Sequence, residues 1–488
     1  MKTLCRFLAV TSFLLTAPAA LATEDGEPVP SATARFEVTP DPDLPYHHSD
    51  VNIDPNHAYT LPELIDLAQR ANPTTRIAWE QAKQAAAAHG LVEATYLPQL
   101  SAQVLGGYQR TPEPVARAID PKGNMIAQTQ GAAPSLVVEW LLFDFGQRDA
   151  MAEATQQMAK AADTGFTGTH QKLIYEVSKA YYALDAIRSQ VRVAESAVAS
   201  TRVIEEAATA KNQHGLGTVT EVATAKRGTA KALFELEQAK AVDNDAYHAL
   251  LEQMGLNPTL KMHIAPSSGR KLPSNLAKDA DGAIQTALVR RPDIVAALAK
   301  LKASQAGVRA AEAAYYPKIG LAGSVGQTIA IQRTSPSAFG GTGDGNRVDE
   351  PMAGVMLKFS LPLYDGGLRE KNESIARSRQ REAQEELSKT QDEAIRQVAR
   401  AHDSLNSSLA QYDAACAYVD AAEKEAESAL EAYKQGVGTL IVATTADTNR
   451  TQAQSAKAGA YAGVLTAAAV LAFSTGSLTS SDVLESGQ

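Results

Sequence analysis

His47, His48 and His57, with Asp50 and Asp54, are the densest group of imidazole and carboxylate side chains in this 488-residue sequence. Such groups hold a divalent metal when a fold fixes several of them around one point. Here they lie in a stretch of Pro, Asp and His without helical or strand periodicity, so nothing local would fix them. No metal site is expected. A phosphate-cradling Gly-x4-Gly-Lys-Ser/Thr loop is absent as well, so no nucleotide cofactor is expected. Of the two cysteines, Cys5 lies in a leader and Cys416 falls on a helical packing seam, where a thiol serves as a small apolar filler. With no catalytic, cofactor or metal residues to assign, the chain reads as a non-enzyme. Its function must then come from how its elements are arranged.

Residues 1–22 read as a signal peptide. Lys2 and Arg6 supply positive charge, residues 7–16 are mostly apolar, and Ala20-Leu21-Ala22 offers small residues for cleavage. The apolar stretch is short of the ~20 residues a membrane helix needs. Cys5 does not stand at the cleavage point, so lipid anchoring is unsupported. Removing Lys2 and Arg6 from 46 basic residues leaves 44 against 55 acidic ones, a net charge of −11. So acidic a chain has no electrostatic reason to hold nucleic acid.

The chain is written twice. Ala68, Pro73, Ala78, Glu93, Ala94, Tyr96 and Pro98 recur 219 positions later as Ala287, Pro292, Ala297, Glu312, Ala313, Tyr315 and Pro317. Further on the offset is 221. It carries Phe143-Asp144-Phe145-Gly146-Gln147-Arg148 onto Tyr364-Asp365-Gly366-Gly367-Leu368-Arg369, and Gly215-Leu216-Gly217-Thr218 onto Gly436-Val437-Gly438-Thr439. The expected organisation is a signal peptide (1–22), an irregular segment (23–57), two equivalent repeats (58–275 and 276–478) and a tail (479–488). Each repeat is predicted to hold a helix (about 61–95 and 281–314), a strand starting at Pro98 or Pro317, a loop, a second strand ending at Asp-x-Gly, a very long helix, a Gly-x-Gly-Thr turn and a returning helix. The loops fall at 111–132 and 332–352.

Alternation marks the strands. Ala353, Val355, Leu357, Phe359, Leu361 and Leu363 point one way, and Lys358 and Ser360 the other. Leu100, Ala102, Val104 and Tyr108 alternate with Ser101, Gln103 and Gly107, and Ile319, Leu321, Gly323 and Val325 with small residues. The fourth strand, Leu136 to Phe143, is apolar on both sides apart from Glu139. A soluble sheet on a core shows the same pattern as a barrel wall in lipid. Four strands alone cannot sit in lipid, because open edges leave backbone groups unpaired at several kcal/mol each. A membrane location therefore requires several chains to pool their strands.

The helices are too long for a globule. Between Gly367 and Gly436 stand 68 residues without Gly or Pro, or ~100 Å as one helix. Leu405, Leu409, Tyr412, Cys416, Val419, Ala426, Leu430 and Tyr433 make a heptad seam interrupted at Glu423. The counterpart, 147–214, carries Gly165 and Gly168, which could bend it. Residues 458–473 are apolar but short for a span, and read as a packed helix of the second repeat.

Together these marks resemble the TolC-like outer-membrane efflux family over about residues 58–478. They are the doubled order of parts, the Tyr-x-Pro lead-in to each first strand, the Phe/Tyr-Asp-x-Gly exit, and the two Gly-x-Gly-Thr turns. The resemblance implies a mostly α fold with a small β part: a homotrimer whose four strands per chain share a transmembrane barrel, continued by a periplasmic α-barrel. It implies a passive outer-membrane duct of a tripartite efflux or secretion system, without cofactors, coupled through a periplasmic adaptor to an inner-membrane pump. The tips that would meet the adaptor match Gly215, Leu216, Gly217 and Thr218, and Gly436, Val437, Gly438 and Thr439. An acidic residue after each tip lines the family's pore entrance. Glu221 matches it in the first repeat. The second departs, with Thr444 where an acid is expected and Asp447 the next available; a ring of Asp447 would favour passing cations. The rival reading is a periplasmic coiled-coil scaffold or surface adhesin. It accounts for the leader and heptads, but not for strand pairs at the same place in each repeat.

Overall fold

A computed structural model describes residues 53–114, 116, 124–267, 272, 280–335 and 345–478. The expected leader 1–22, most of the irregular segment including His47, His48 and Asp50, and the tail 479–488 lie outside the described residues. The first repeat runs β1 (Ala58–Tyr59), α1 (Leu61–Ala71), α2 (Pro73–Ala94), β2 (Gln99–Pro114), β3 (Asn124–Phe143), α3 (Gln147–Gln213) and α4 (Val219–Met254). After β4 (His263–Ile264) come α5 (Ala280–Arg290), α6 (Pro292–Ala313), β5 (Lys318–Ser335), β6 (Asn346–Ser360), α7 (Leu368–Gln435) and α8 (Leu440–Ser474).

Each repeat opens on two helices, which corrects the single helices expected over 61–95 and 281–314. The break falls at Asn72 and at its counterpart Arg291, both extended, with ψ of 123° and 128°. Each precedes a proline, whose ring disfavours helical geometry in the residue before it. Pro73 and Pro292 then open the next helix, where a missing N–H costs nothing. The breaks receive the returning helices. Asn72 Nδ2 donates to the Gln253 carbonyl at 2.8 Å, and Arg291 Nη1 to the Ser474 carbonyl at 3.0 Å. These are equivalent contacts in the two repeats, made by different residue types.

The four long strands form one antiparallel sheet in the order β2-β3-β5-β6. They are longer than the alternation suggested. Most of the expected loops 111–132 and 332–352 is paired strand, since the ladder runs on where the apolar pattern has stopped. Pro112, Pro114 and Pro351 sit on edge strands, where a missing donor is tolerated. The register puts Leu100, Ala102 and Val104 on one face with Leu136, Val138, Trp140, Leu321, Val325, Val355, Leu357 and Phe359. Ser101, Gln103, Ser135, Glu139, Ser324, Lys358 and Ser360 share the other, with Leu105, Val137, Leu141, Val348, Met352 and Met356 as apolar exceptions. Leu100, Val104, Leu136, Val325, Val355, Leu357 and Phe359 are all exposed.

Helices α3 and α7 are unbroken over 67 and 68 residues. Gly168 lies within α3 and faces Pro292, where an added Cβ would stand 3.2 Å from the proline ring. The α7 seam is also continuous. Ala422, three residues after Val419 and four before Ala426, is buried, and Glu423 points outward to accept from Gln454 at 2.8 Å. The main core joins α1, α3, α4 and α8 around Leu64, Ile65, Val177, Leu250, Leu251 and Met254. The helix α8 is long and apolar enough to cross a membrane. Its Val464, Leu465 and Leu471 are instead buried in this core and its neighbour.

Candidate functional site

At one end of the helices lie the two turns singled out by the repeat. Gly215 and Gly436 both have positive φ, 73° and 84°, which lets each helix end and the chain reverse. Gly217 is closely packed: an added Cβ would stand 3.1 Å from the Asn212 nitrogen and 3.2 Å from Glu221 Oε2. Thr218 then starts α4 with a capping box, accepting from the Glu221 N–H at 3.1 Å while Glu221 Oε2 accepts from the Thr218 N–H at 2.9 Å. Thr439 caps α8 from the Val442 N–H at 3.4 Å. The offset of 221 makes Val442, and not Thr444, the counterpart of Glu221, so the second tip has no acidic cap. Leu216, Val219, Val437 and Ile441 are each more than 70% exposed, a small apolar patch on each tip.

The tips are tied to one another. Lys211, in the last turn of α3, donates to the Tyr433 carbonyl at 2.6 Å and lies 4.3 Å from the centre of its ring. Tyr433 is buried, with Ile204, Ala208, Ala225, Leu440 and Ala443 around it. Burial, and then the Glu221 charge, push its phenol up. Glu221 thus has two jobs visible in the structure, a cap and a charge near Tyr433.

Asp447 lies about two turns into α8 and is only 7% exposed. It accepts from Ser200 Oγ on α3 and from Arg450 Nη2 at 2.6 Å. Within one chain its charge is therefore matched, and it joins the first helical pair to the second. The sequence singles out Asp447 but not Ser200, Arg450 or Lys211. Ser200 lies 247 positions away, and no local pattern links it to Asp447.

At the other end, the repeated Tyr-x-Pro and Asp-x-Gly motifs build the corners where strands become helices. In the first, Arg148 Nε donates to Asp144 at 3.0 Å, Nη1 to the Thr95 and Leu141 carbonyls, and Nη2 to the Leu142 carbonyl. Its guanidinium lies 4.7 Å from the Tyr96 ring centre, and the Tyr96 phenol donates to Asp149. Partial burial and that bond push Tyr96 up to about 12. In the second corner Arg369 Nε donates to Asp365 at 2.7 Å, and the guanidinium stands 5.1 Å from the Tyr315 ring centre. The Arg369 bond holds the Asp365 carboxyl below its ordinary value. Glu373 takes the place of Asp149: burial first, then a bond to Glu373, raise Tyr315. These motif residues thus hold the sheet on the helices.

Among the described residues no three His, Cys, Asp or Glu side chains converge as a metal site. His57 instead approaches Glu63 Oε1 at 2.9 Å.

The sequence matches the family model described as outer membrane efflux protein over residues 64–256 and 283–477, one block per repeat. It is 26% identical to outer membrane protein OprJ of Pseudomonas aeruginosa, over 77% of this chain and 75% of that protein. To the cation efflux system protein CusC of Escherichia coli it is 25% identical, over 69% of each. The fold is similar to the crystal structure of the Campylobacter jejuni CmeC outer membrane channel, with a TM-score of 0.68 at 20% identity, covering 87% of this chain and 88% of that one.

Proposed function

The chain belongs to the outer membrane efflux protein family, and on that premise we propose that three copies pool their four strands into one twelve-stranded barrel. It is an outer-membrane channel of a tripartite efflux or secretion system, with its helices in the periplasm. The observation that carries the shared barrel is the sheet itself. One face is apolar and exposed, the other mostly polar or small, and both outer edges lack a partner among the described residues. Such a sheet is stable in lipid only when closed, and single-chain barrels begin at about eight strands. A coiled-coil scaffold has no use for an exposed apolar sheet.

The duct does no covalent chemistry. Its energy comes from an inner-membrane pump, which sets the cargo and is reached through a periplasmic adaptor. The adaptor meets the tips Gly215-Leu216-Gly217-Thr218 and Gly436-Val437-Gly438-Thr439, where Leu216 and Val437 supply apolar contact. Glu221 and Asp447 belong to the pore entrance. Since Asp447 is held by Ser200 and Arg450, it reaches a lumen only when the helical pairs separate.

Planar-bilayer recording tests this. The purified protein is expected to form conducting pores, and Asp447→Ala to raise conductance and shift cation preference. Absence of pores from correctly extracted protein would reject the channel; unchanged conductance and selectivity would reject the role of Asp447.

A further inference from the structure

The strand register also sorts the charges of the sheet. On the apolar face β2 passes Leu100, Val104 and Tyr108 and then reaches Arg110. On that face β5 passes Ile329 and Ile331 and then reaches Arg333. Pairing aligns the two arginines. Arg110 faces Gln128 and Gln128 faces Arg333, so the three form one row across β2, β3 and β5. One row nearer the helices, Tyr108 faces Gln130, Gln130 faces Ile331 and Ile331 faces Arg347. All three arginines are exposed.

Their height on the wall is telling. Arg110 stands ten residues beyond Leu100. At ~3.4 Å per residue and a tilt of about 40° the rise is ~26 Å, and the apolar band of a barrel in lipid is about 25 Å tall. Exposed aromatics, Trp140 and Tyr108, lie near its two limits. The arginines therefore stand just past the band, at the end remote from the helices. A cation costs little there, and its long stem carries the charge to the level of the headgroups.

The placement is one-sided. At the same height the opposite face carries a row of neutral side chains, Gln109, Thr129, Gln332 and Asn346. Charges that served only to hydrate the strand ends would suit either face. At the helical end Lys318 and Lys358 lie on that opposite face, and the corner cations Arg148 and Arg369 are held by Asp144 and Asp365. Asp349 is the one acid on the arginine face among the described residues. Arg347 matches it at 3.6 Å, and Gln327 Nε2 donates to it at 2.5 Å. Arg110 and Arg333 have no ion pair among the described residues.

We propose that Arg110 and Arg333 bind the phosphate groups of an anionic lipid in the outer leaflet, with the acyl chains lying along the apolar strands below. This rests on the reading that the sheet is a barrel wall in lipid. Two planar forks suit phosphate oxygens, which accept paired N–H bonds. The two arginines are separated by two strand spacings, ~10 Å, within the span of one large headgroup.

Native mass spectrometry of the purified particle in neutral detergent tests this. The probe is lipid A, either with its phosphates or stripped of them. The wild type is expected to retain the phosphorylated form at least tenfold more tightly. Arg110→Gln with Arg333→Gln should abolish that preference at wild-type particle mass. Arg110→Lys with Arg333→Lys, which keeps the charge, should restore part of it. Lys358→Gln, on the opposite face, should leave it unchanged. Equal retention of the two probes by the wild type, an undiminished preference in the double glutamine variant, or an equal loss in Lys358→Gln overturns the proposal while leaving the wall in lipid. A particle that does not enter phosphatidylcholine vesicles at all overturns the membrane reading as well.

Discussion

The two corners of this protein are built from the same motif but enclosed to different degrees. In the first repeat Asp144 and Arg148 are buried, and Arg148 is bonded to one carboxylate and three backbone carbonyls. In the second, Asp365 and Arg369 are more exposed, and the guanidinium is bonded to Asp365. The turn before each long helix differs too. Phe145 adopts a positive φ of 54°, meets Phe143 edge-on and stacks on Tyr316, whereas its counterpart Gly366 reaches φ 69° without needing support. The strand β3 has neighbours on both sides and β6 on one. A duplicated sequence thus keeps its local design while position in the sheet decides how much of it is buried.

That contrast can be broken or sharpened by substitution. The largest effect is expected from Arg148→Ala, which leaves Asp144 buried without its cation and removes the guanidinium donor from three carbonyls. Loss of one partner of a buried pair costs about 3–5 kcal/mol. Arg369→Ala should cost clearly less, and thermal unfolding of the two extracted variants compares them directly. Equal losses would show that both corners are equally enclosed in the assembled protein, as a neighbouring chain over the second would make them.

The tips offer a smaller contrast. Gly436→Ala forces a side chain into left-handed geometry, at about 1–2 kcal/mol, read as faster amide exchange over the last turn of α7. Glu221→Ala removes a capping box that the second tip lacks, and should cost about 1 kcal/mol. Val442→Glu offers the second tip the same box and should slow exchange at the start of α8. No change in either would mean that tip packing, and not the cap, holds these helix ends.

The smallest effect concerns acid. Arg369 and the Gly367 and Arg369 amides hold the Asp365 carboxyl below its ordinary value. Stability from this group is fully present above the ordinary carboxylate pKa and is lost as pH falls through the lowered one. Asp365→Asn should therefore flatten the acid side of the unfolding profile, while leaving the neutral side offset by a constant loss.

Much of this architecture is legible in the residues. The offsets 219 and 221, read from Tyr96, Pro98, Asp144 and Gly217 and their counterparts, also relate the two hairpin registers. Alternation from Ala353 to Phe359 found a strand and its facing. It could not find the outer halves of β3 and β6, where pairing persists without an apolar pattern. The breaks at Asn72 and Arg291 were there to be read, since each precedes a proline inside a helical stretch. The parallel pairing of Ala58–Tyr59 with His263–Ile264 is too short to leave any periodicity. Contacts such as Lys211 with Tyr433 join residues more than 200 positions apart, and only the folded chain brings them together.

The central claim is that open sheets from separate chains close into one wall. Light-scattering mass of the detergent-extracted outer-membrane particle tests it most directly. Three chains per particle are predicted, conserved when the detergent is exchanged; a single chain that stays dispersed without detergent would contradict the account.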